Sequence, residues 1–148
     1  MNTSPPTHLP TSSMVTSDLT LSIIQINLRH SKLASAALSQ LLLGLNIDIA
    51  LIQEPYASNN TEAIPNVPLG YQAFHALSSD HAYGAVILSK SCLRAKLHPC
   101  SSNELAVIRV DTIASSSLST ISLYVRPIRR DLSGLMSSVV GTLDVAGQ

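Results

Sequence analysis

Glu54 is the side chain best placed for chemistry: it follows Ile47-Asp48-Ile49-Ala50-Leu51-Ile52-Gln53 directly and precedes Pro55. A carboxylate there suits a hard cation such as Mg²⁺, which takes one or two carboxylates and completes its shell with water and phosphate oxygens. The alternative is a rim carboxylate that caps a loop amide. Asn27 closes a second apolar run, Leu21-Ser22-Ile23-Ile24-Gln25-Ile26-Asn27, and offers a carboxamide for ligation or hydrogen bonding, or simply the start of a turn. Arg29 and Lys32 follow it, and Arg126, Arg129 and Arg130 come late in the chain. Such cations suit backbone phosphates, or else form a solvated basic face.

The elements that must hold these residues are legible in the apolar pattern. The run from Ile47 to Ile52 is short, rich in β-branched residues and broken only by Asp48, as expected for a strand buried on both faces. Pro55 cannot donate to a ladder and ends it. Between the two runs, residues 31–45 predict a helix: Ser31 supplies the N-cap, Ala34, Leu38, Leu41 and Leu45 recur at helical spacing, and Gly44-Leu45-Asn46 stops it. Strand, helix and strand make one βαβ unit with parallel strands near 20–26 and 48–53. A parallel crossover puts both carboxyl ends on one side, so Asn27 and Glu54 converge at one rim, the edge of an α/β sheet where ligands collect.

Further along, residues 56–81 form a long turn-rich connection with a short strand predicted over 69–75, where Tyr71 and Phe74 supply the aromatic mass. Antiparallel strands are predicted near 83–88, 104–110 and 118–125 as a meander, with Ser115-Ser116-Ser117 at the last hairpin. Asp131 opens a weak helix reaching about Leu143, with Leu135, Met136, Val139 and Val140 on its apolar side.

Bulk properties narrow the class. The 148 residues suffice for one domain with its own core, and 45% hydrophobic against 12% charged residues excludes a disordered chain. With 3% aromatics and no Trp, that core is aliphatic. Nine basic and nine acidic residues balance, so no net field draws the chain onto nucleic acid. Residues 1–18 are rich in Ser, Thr and Pro and lack basic residues and an apolar core, which reads as a flexible leader rather than a signal peptide, with the domain over 19–148. No apolar stretch approaches the roughly 20 residues needed to cross a bilayer. Cys92 and Cys100 lack metal-ligand spacing, and His30, His75, His81 and His98 show no paired spacing that would hold zinc.

Three stretches carry a resemblance: Gln-Ile-Asn-Leu-Arg-His-Ser-Lys-Leu-Ala at 25–34, Asp-Ile-Ala-Leu-Ile-Gln-Glu-Pro-Tyr at 48–56 and Leu-Tyr-Val-Arg-Pro at 123–127. Together they resemble the endonuclease domain of non-long-terminal-repeat retrotransposons, within the endonuclease/exonuclease/phosphatase superfamily, over roughly Leu19 to Val140. The resemblance implies an α/β fold, an incomplete four-layer sandwich. It implies Glu54 as catalytic acid and Mg²⁺ ligand, Asn27 as the active-site asparagine and Tyr124 as the active-site tyrosine whose hydroxyl approaches the scissile phosphate; read from its strand alone, Tyr124 is core packing with a wet tip. Arg29, Lys32 and Arg126 become contacts to DNA phosphates. Tyr56 stacks on DNA or covers the sheet end.

Relatives of this kind are expected to nick target DNA by Mg²⁺-assisted hydrolysis, priming reverse transcription in the nucleus. In that superfamily the set is completed by Gly-Asp-Phe-Asn after a later strand and by Ser-Asp-His; neither occurs in these 148 residues, and Asp80-His81 comes too early in chain order to replace the second. The expectation is therefore a truncated or degenerate endonuclease domain, with Mg²⁺ held weakly or not at all. A noncatalytic interaction module and a small-molecule phosphatase of the same superfamily are the competing readings. Missing strands also predict an uncovered apolar sheet face, marginal stability and self-association through an exposed sheet edge.

Overall fold

The computed structural model describes residues 20–57, 63–78, 84–111 and 117–123. Strand β1 (Ile23–Asn27) leads through helix α1 (Lys32–Gly44) into β2 (Ile49–Gln53). There follow β3 (Tyr71–Phe74), β4 (Ala85–Lys90), a single 3-10 turn over Ser91–Leu93, the short β5 (Lys96–Leu97), β6 (Leu105–Asp111) and β7 (Ser117–Leu123). One sheet has the order β1-β2-β4-β3 and the other β5-β6-β7. The predicted helix over 131–143 lies outside the described residues.

Both ends of α1 are capped as its sequence predicts. Ser31 Oγ accepts the N–H of Ala34 at 3.1 Å, satisfying one of the donors a helix start leaves open. At the other end Asn46 takes a left-handed φ of 53°, the N–H of Ile47 reaches Leu42 O at 3.0 Å, and that of Asn46 reaches Leu43 O at 3.3 Å. This paired closure is the Schellman arrangement, with Ile47 and Leu42 supplying its apolar contact in one cluster. The buried face differs from the expected one. Ser35, Leu38 and Leu42 are buried, whereas Leu41 and Leu45 are exposed. Consecutive leucines at 41, 42 and 43 left the helix's rotation open, and the position four residues beyond Leu38 meets the sheet.

Alternation along β2 sorts the core into two clusters. Ala50 and Ile52 face α1, together with Val86 and Leu88 of β4. Ile49 and Leu51 face the second sheet, where Ala85 and Ile87 of β4 meet Ala106, Ile108 and Val110 of β6. The central strand is thus covered on both faces, as its apolar run requires. Two expectations are corrected here. The strand over 85–90 does not join 105–111 in a meander; it crosses into the first sheet and pairs antiparallel with β2, Leu51 opposite Ile87, because its two apolar faces need cover on both sides. Nor is the first sheet's second face left bare, since β6 supplies the cover from within the chain and Ile49, Ala85, Ile87, Ala106 and Ile108 are fully buried.

Asp48, the break in the apolar run, ties three strands together at the end of the sheet opposite Glu54. Its carboxylate accepts the N–H and hydroxyl of Ser22 at 2.8 and 2.9 Å and the Lys90 ammonium at 2.8 Å. Burial alone would push the carboxyl up, but the hydrogen bonds from Lys90 and Ser22 outweigh it and hold Asp48 below the ordinary carboxylate range. A depressed folded pKa adds stability that is present above the unfolded value and lost as pH falls through the folded one. Asp48→Asn is therefore expected to melt lower than wild type at neutral pH, with the gap narrowing in a thermal-melt series as pH falls below the ordinary carboxylate range. Nearby, the Tyr71 hydroxyl donates to Leu42 O and Ile47 O, joining the helix end to β2. Its burial pushes that hydroxyl's pKa up.

Candidate functional site

Parallel pairing of β1 with β2 sets Asn27 opposite Gln53, so both chains leave the sheet at the same rim. The ladder runs one residue further, with Leu28 N–H on Gln53 O at 3.0 Å. Leu28 is buried, and the chain then turns through two successive left-handed residues, Arg29 at φ 48° and His30 at φ 57°, before Ser31 starts the helix. Each non-glycine residue in that region costs on the order of 1–2 kcal/mol, so the surroundings must hold the turn. Asn27 contributes directly: its Oδ1 accepts the Arg29 N–H at 2.8 Å, the local bond by which asparagine stabilises turns. Ser31 N–H closes the turn on Leu28 O at 2.9 Å.

Glu54 is itself left-handed, with φ 47°. Its backbone is pinned from both neighbours: its N–H donates to Gly84 O at 3.1 Å beside β4, and its carbonyl accepts the His30 N–H at 3.0 Å. Pro55 behind it is buried and ends the ladder. The carboxylate keeps 19% of its side-chain surface exposed, enough to reach solvent from an otherwise covered strand end. A polar seam continues between the sheets, where Gln53 Nε2 donates to Ser122 Oγ at 3.4 Å and that hydroxyl donates to Ile52 O at 3.2 Å. The seam brings the carboxyl end of β7 to the rim of Glu54.

Of the residues singled out from sequence, Asn27, Arg29, Lys32, Glu54 and Tyr56 gather around this rim. Arg29 and Lys32 are exposed and Tyr56 is half-buried. Tyr124 and Arg126 lie outside the described residues, as do Asp80 and His81. Sequence reasoning missed the part His30 plays. Its Nε2 stands 3.7 Å from Glu54 Oε2 and its Nδ1 3.3 Å from Pro55 O. A search for spacing between histidines could not find it; the signal was a histidine three residues beyond Asn27, on the turn facing the end of β2.

Among the described residues no three His, Cys, Asp or Glu side chains cluster as a metal cage. The rim's donor set fits a different arrangement, a hard cation held by one carboxylate with water and phosphate oxygens filling the shell. Cys92 and Cys100 are free thiols. No helix among the described residues is long and apolar enough to cross a membrane.

Among the described residues one α-helix and two sheets, with polar residues gathered at the carboxyl ends of the parallel strands, form an α/β fold. No family model and no curated protein matches the chain. Among solved structures it is similar to the endonuclease domain of TRAS1, a telomere-specific non-LTR retrotransposon, with a TM-score of 0.69 and 24% identity over 82% of this chain. The match takes in 53% of that domain, so the chain spans about half its length. The likeness shows the α/β class of fold that the sequence motifs imply.

Proposed function

We propose that these residues form the acid-and-asparagine side of a Mg²⁺-dependent endonuclease site acting on DNA phosphodiesters, as the fold's likeness to a retrotransposon endonuclease domain suggests. The observation that carries the reading is the parallel β1–β2 register, which sets the strand ends of Asn27 and Glu54 side by side. Glu54 would hold the cation, and a bound Mg²⁺ supplies electrostatic stabilisation of the charge that develops on the phosphate. Asn27 would orient the acid or a bound water, and Tyr124 would bring its hydroxyl to the scissile phosphate. Arg29, Lys32 and Arg126 would contact backbone phosphates and Tyr56 a base, with DNA as the partner and the nucleus as the place of action.

Hydrolysis also needs a base to activate water, and the Gly-Asp-x-Asn and Ser-Asp-His segments that would complete the set are not in these 148 residues. Incubated with supercoiled plasmid and Mg²⁺, the 148-residue chain is therefore expected to leave the plasmid intact. A chain continued through both segments is expected to nick it. An extended chain that leaves DNA untouched while hydrolysing a small phosphate ester would favour the phosphatase reading. One that does neither would favour a binding module.

A further inference from the structure

We propose that the outer edge of β1, with the flank of α1 above it, is an interface for a second copy of this chain, each β1 pairing antiparallel with the other about a two-fold axis at Gln25. The inference is independent of any role for Glu54 in holding a metal.

Backbone direction carries the first part of the argument. Among the described residues β1 is the end strand of its sheet and pairs with β2 alone. Leu28 N–H donates to Gln53 O and Ser22 O accepts the Ile49 N–H, so the even-numbered residues bond toward β2. The N–H and C=O groups of Ile23, Gln25 and Asn27 therefore face away from the sheet, and all three residues are exposed. Edge strands are ordinarily blunted by charge, proline or a bulge, because their open groups otherwise template pairing with another chain. Ile-Ile-Gln-Ile-Asn carries neither charge nor proline, and its register with β2 runs through without a bulge.

The helix adds an apolar strip beside that edge. Ser39 Oγ donates to Asn66 O and Leu43 stands beside Leu69 and Tyr71, so this side of α1 faces β3. At 3.6 residues per turn Leu41 and Leu45 fall on the other side, above β1, where they are 41% and 63% exposed. Beneath them Ile24 and Ile26 are half-buried against the helix cluster.

A second copy is the occupant that fits both features. The two-fold sets Ile23 opposite Asn27 and Gln25 opposite itself, so all three outward-facing residues exchange backbone bonds in a single register. It also sets Ile24 of one copy opposite Ile26 of the other on the helix side and brings the two leucine flanks together, with no charge from either strand buried between them. Strand edge and helix flank together lie near the lower limit of about 1,200 Å² for a specific interface, so a dissociation constant on the order of 10 μM is expected. Because the strands run in opposite directions, the two Glu54 rims lie at opposite ends of the joined sheet.

The test is sedimentation velocity of the 148-residue chain across about 1–200 μM, paired with amide exchange read by nuclear magnetic resonance. The mass is expected to rise from 15.7 kDa toward twice that value, and exchange at Ile23, Gln25 and Asn27 to slow only in the concentrated sample. Gln25→Pro removes an N–H that no bond to β2 uses, so the fold is expected to stand while association weakens about tenfold or more. Leu41→Lys places a charge in the strip and is expected to do the same, whereas Leu43→Lys on the far flank is expected to leave association unchanged.

A monomer at every concentration overturns the proposal. So do a monomer whose β1 amides are already slow, which means that another segment of the same chain covers the edge, and a species that grows beyond two copies, which means open-ended pairing. A dimer weakened equally by Leu41→Lys and Leu43→Lys uses some other surface and also overturns it. Should Gln25→Pro fail to fold, the wild-type exchange pattern and the two lysine variants decide.

Discussion

Ile87→Ala is expected to destabilise the chain by about 2–5 kcal/mol, the range for emptying a buried aliphatic site. Ile87 is fully buried in β4, opposite Leu51 of β2, and packs in the cluster where the two sheets meet through Ala106, Ile108 and Val110. Little can collapse into the space, because both walls are hydrogen-bonded strands rather than mobile side chains. Total stabilities of such domains are about 5–15 kcal/mol, so the loss is a large share of the whole. Urea unfolding checks it, with Leu69→Ala as the comparison. Leu69 is 96% exposed, and its truncation is expected to change stability by less than about 0.5 kcal/mol. Equal effects at the two positions would mean that the second sheet does not cover the first in solution.

Glu54→Gln, placed in a chain extended through the Gly-Asp-x-Asn and Ser-Asp-His segments, is expected to lower plasmid nicking on the order of 10²-fold or more, the scale of losing one electrostatic contact to a developing phosphate charge. The substitution keeps the side chain's size and its hydrogen-bonding reach, and removes the charge that would hold the cation. The backbone bonds that hold residue 54, to Gly84 O and from His30 N–H, involve no side-chain atom and survive the change. A thermal melt like that of wild type together with lost nicking would separate chemistry from folding. Nicking at the unmutated rate would remove Glu54 from the site.

The βαβ unit was legible in the sequence because every signal for it is local. Ser31 caps with its own side chain, Asn46 tolerates the left-handed position that ends the helix, and the alternation of Ile49, Ala50, Leu51 and Ile52 determines which side chains share a face. Pro55 ends β2 whatever surrounds it, so Glu54 had to stand at a strand's carboxyl end. The parallel crossover then carried Asn27 to the same rim without any further information.

Tertiary structure decided the rest. Which strand pairs with β2 across more than thirty residues depends on which arrangement buries both faces of 85–90, and no local pattern records that choice. The same packing decided that β6 covers the first sheet and that Leu42, rather than Leu41 or Leu45, enters the core. His30 met Glu54 for a related reason. Two left-handed residues aim its ring at the end of β2, and those dihedrals are held by hydrogen bonds between turns more than twenty residues apart. Local sequence determines how a chain leaves a strand; what it then faces is set by the partner strand's own turn.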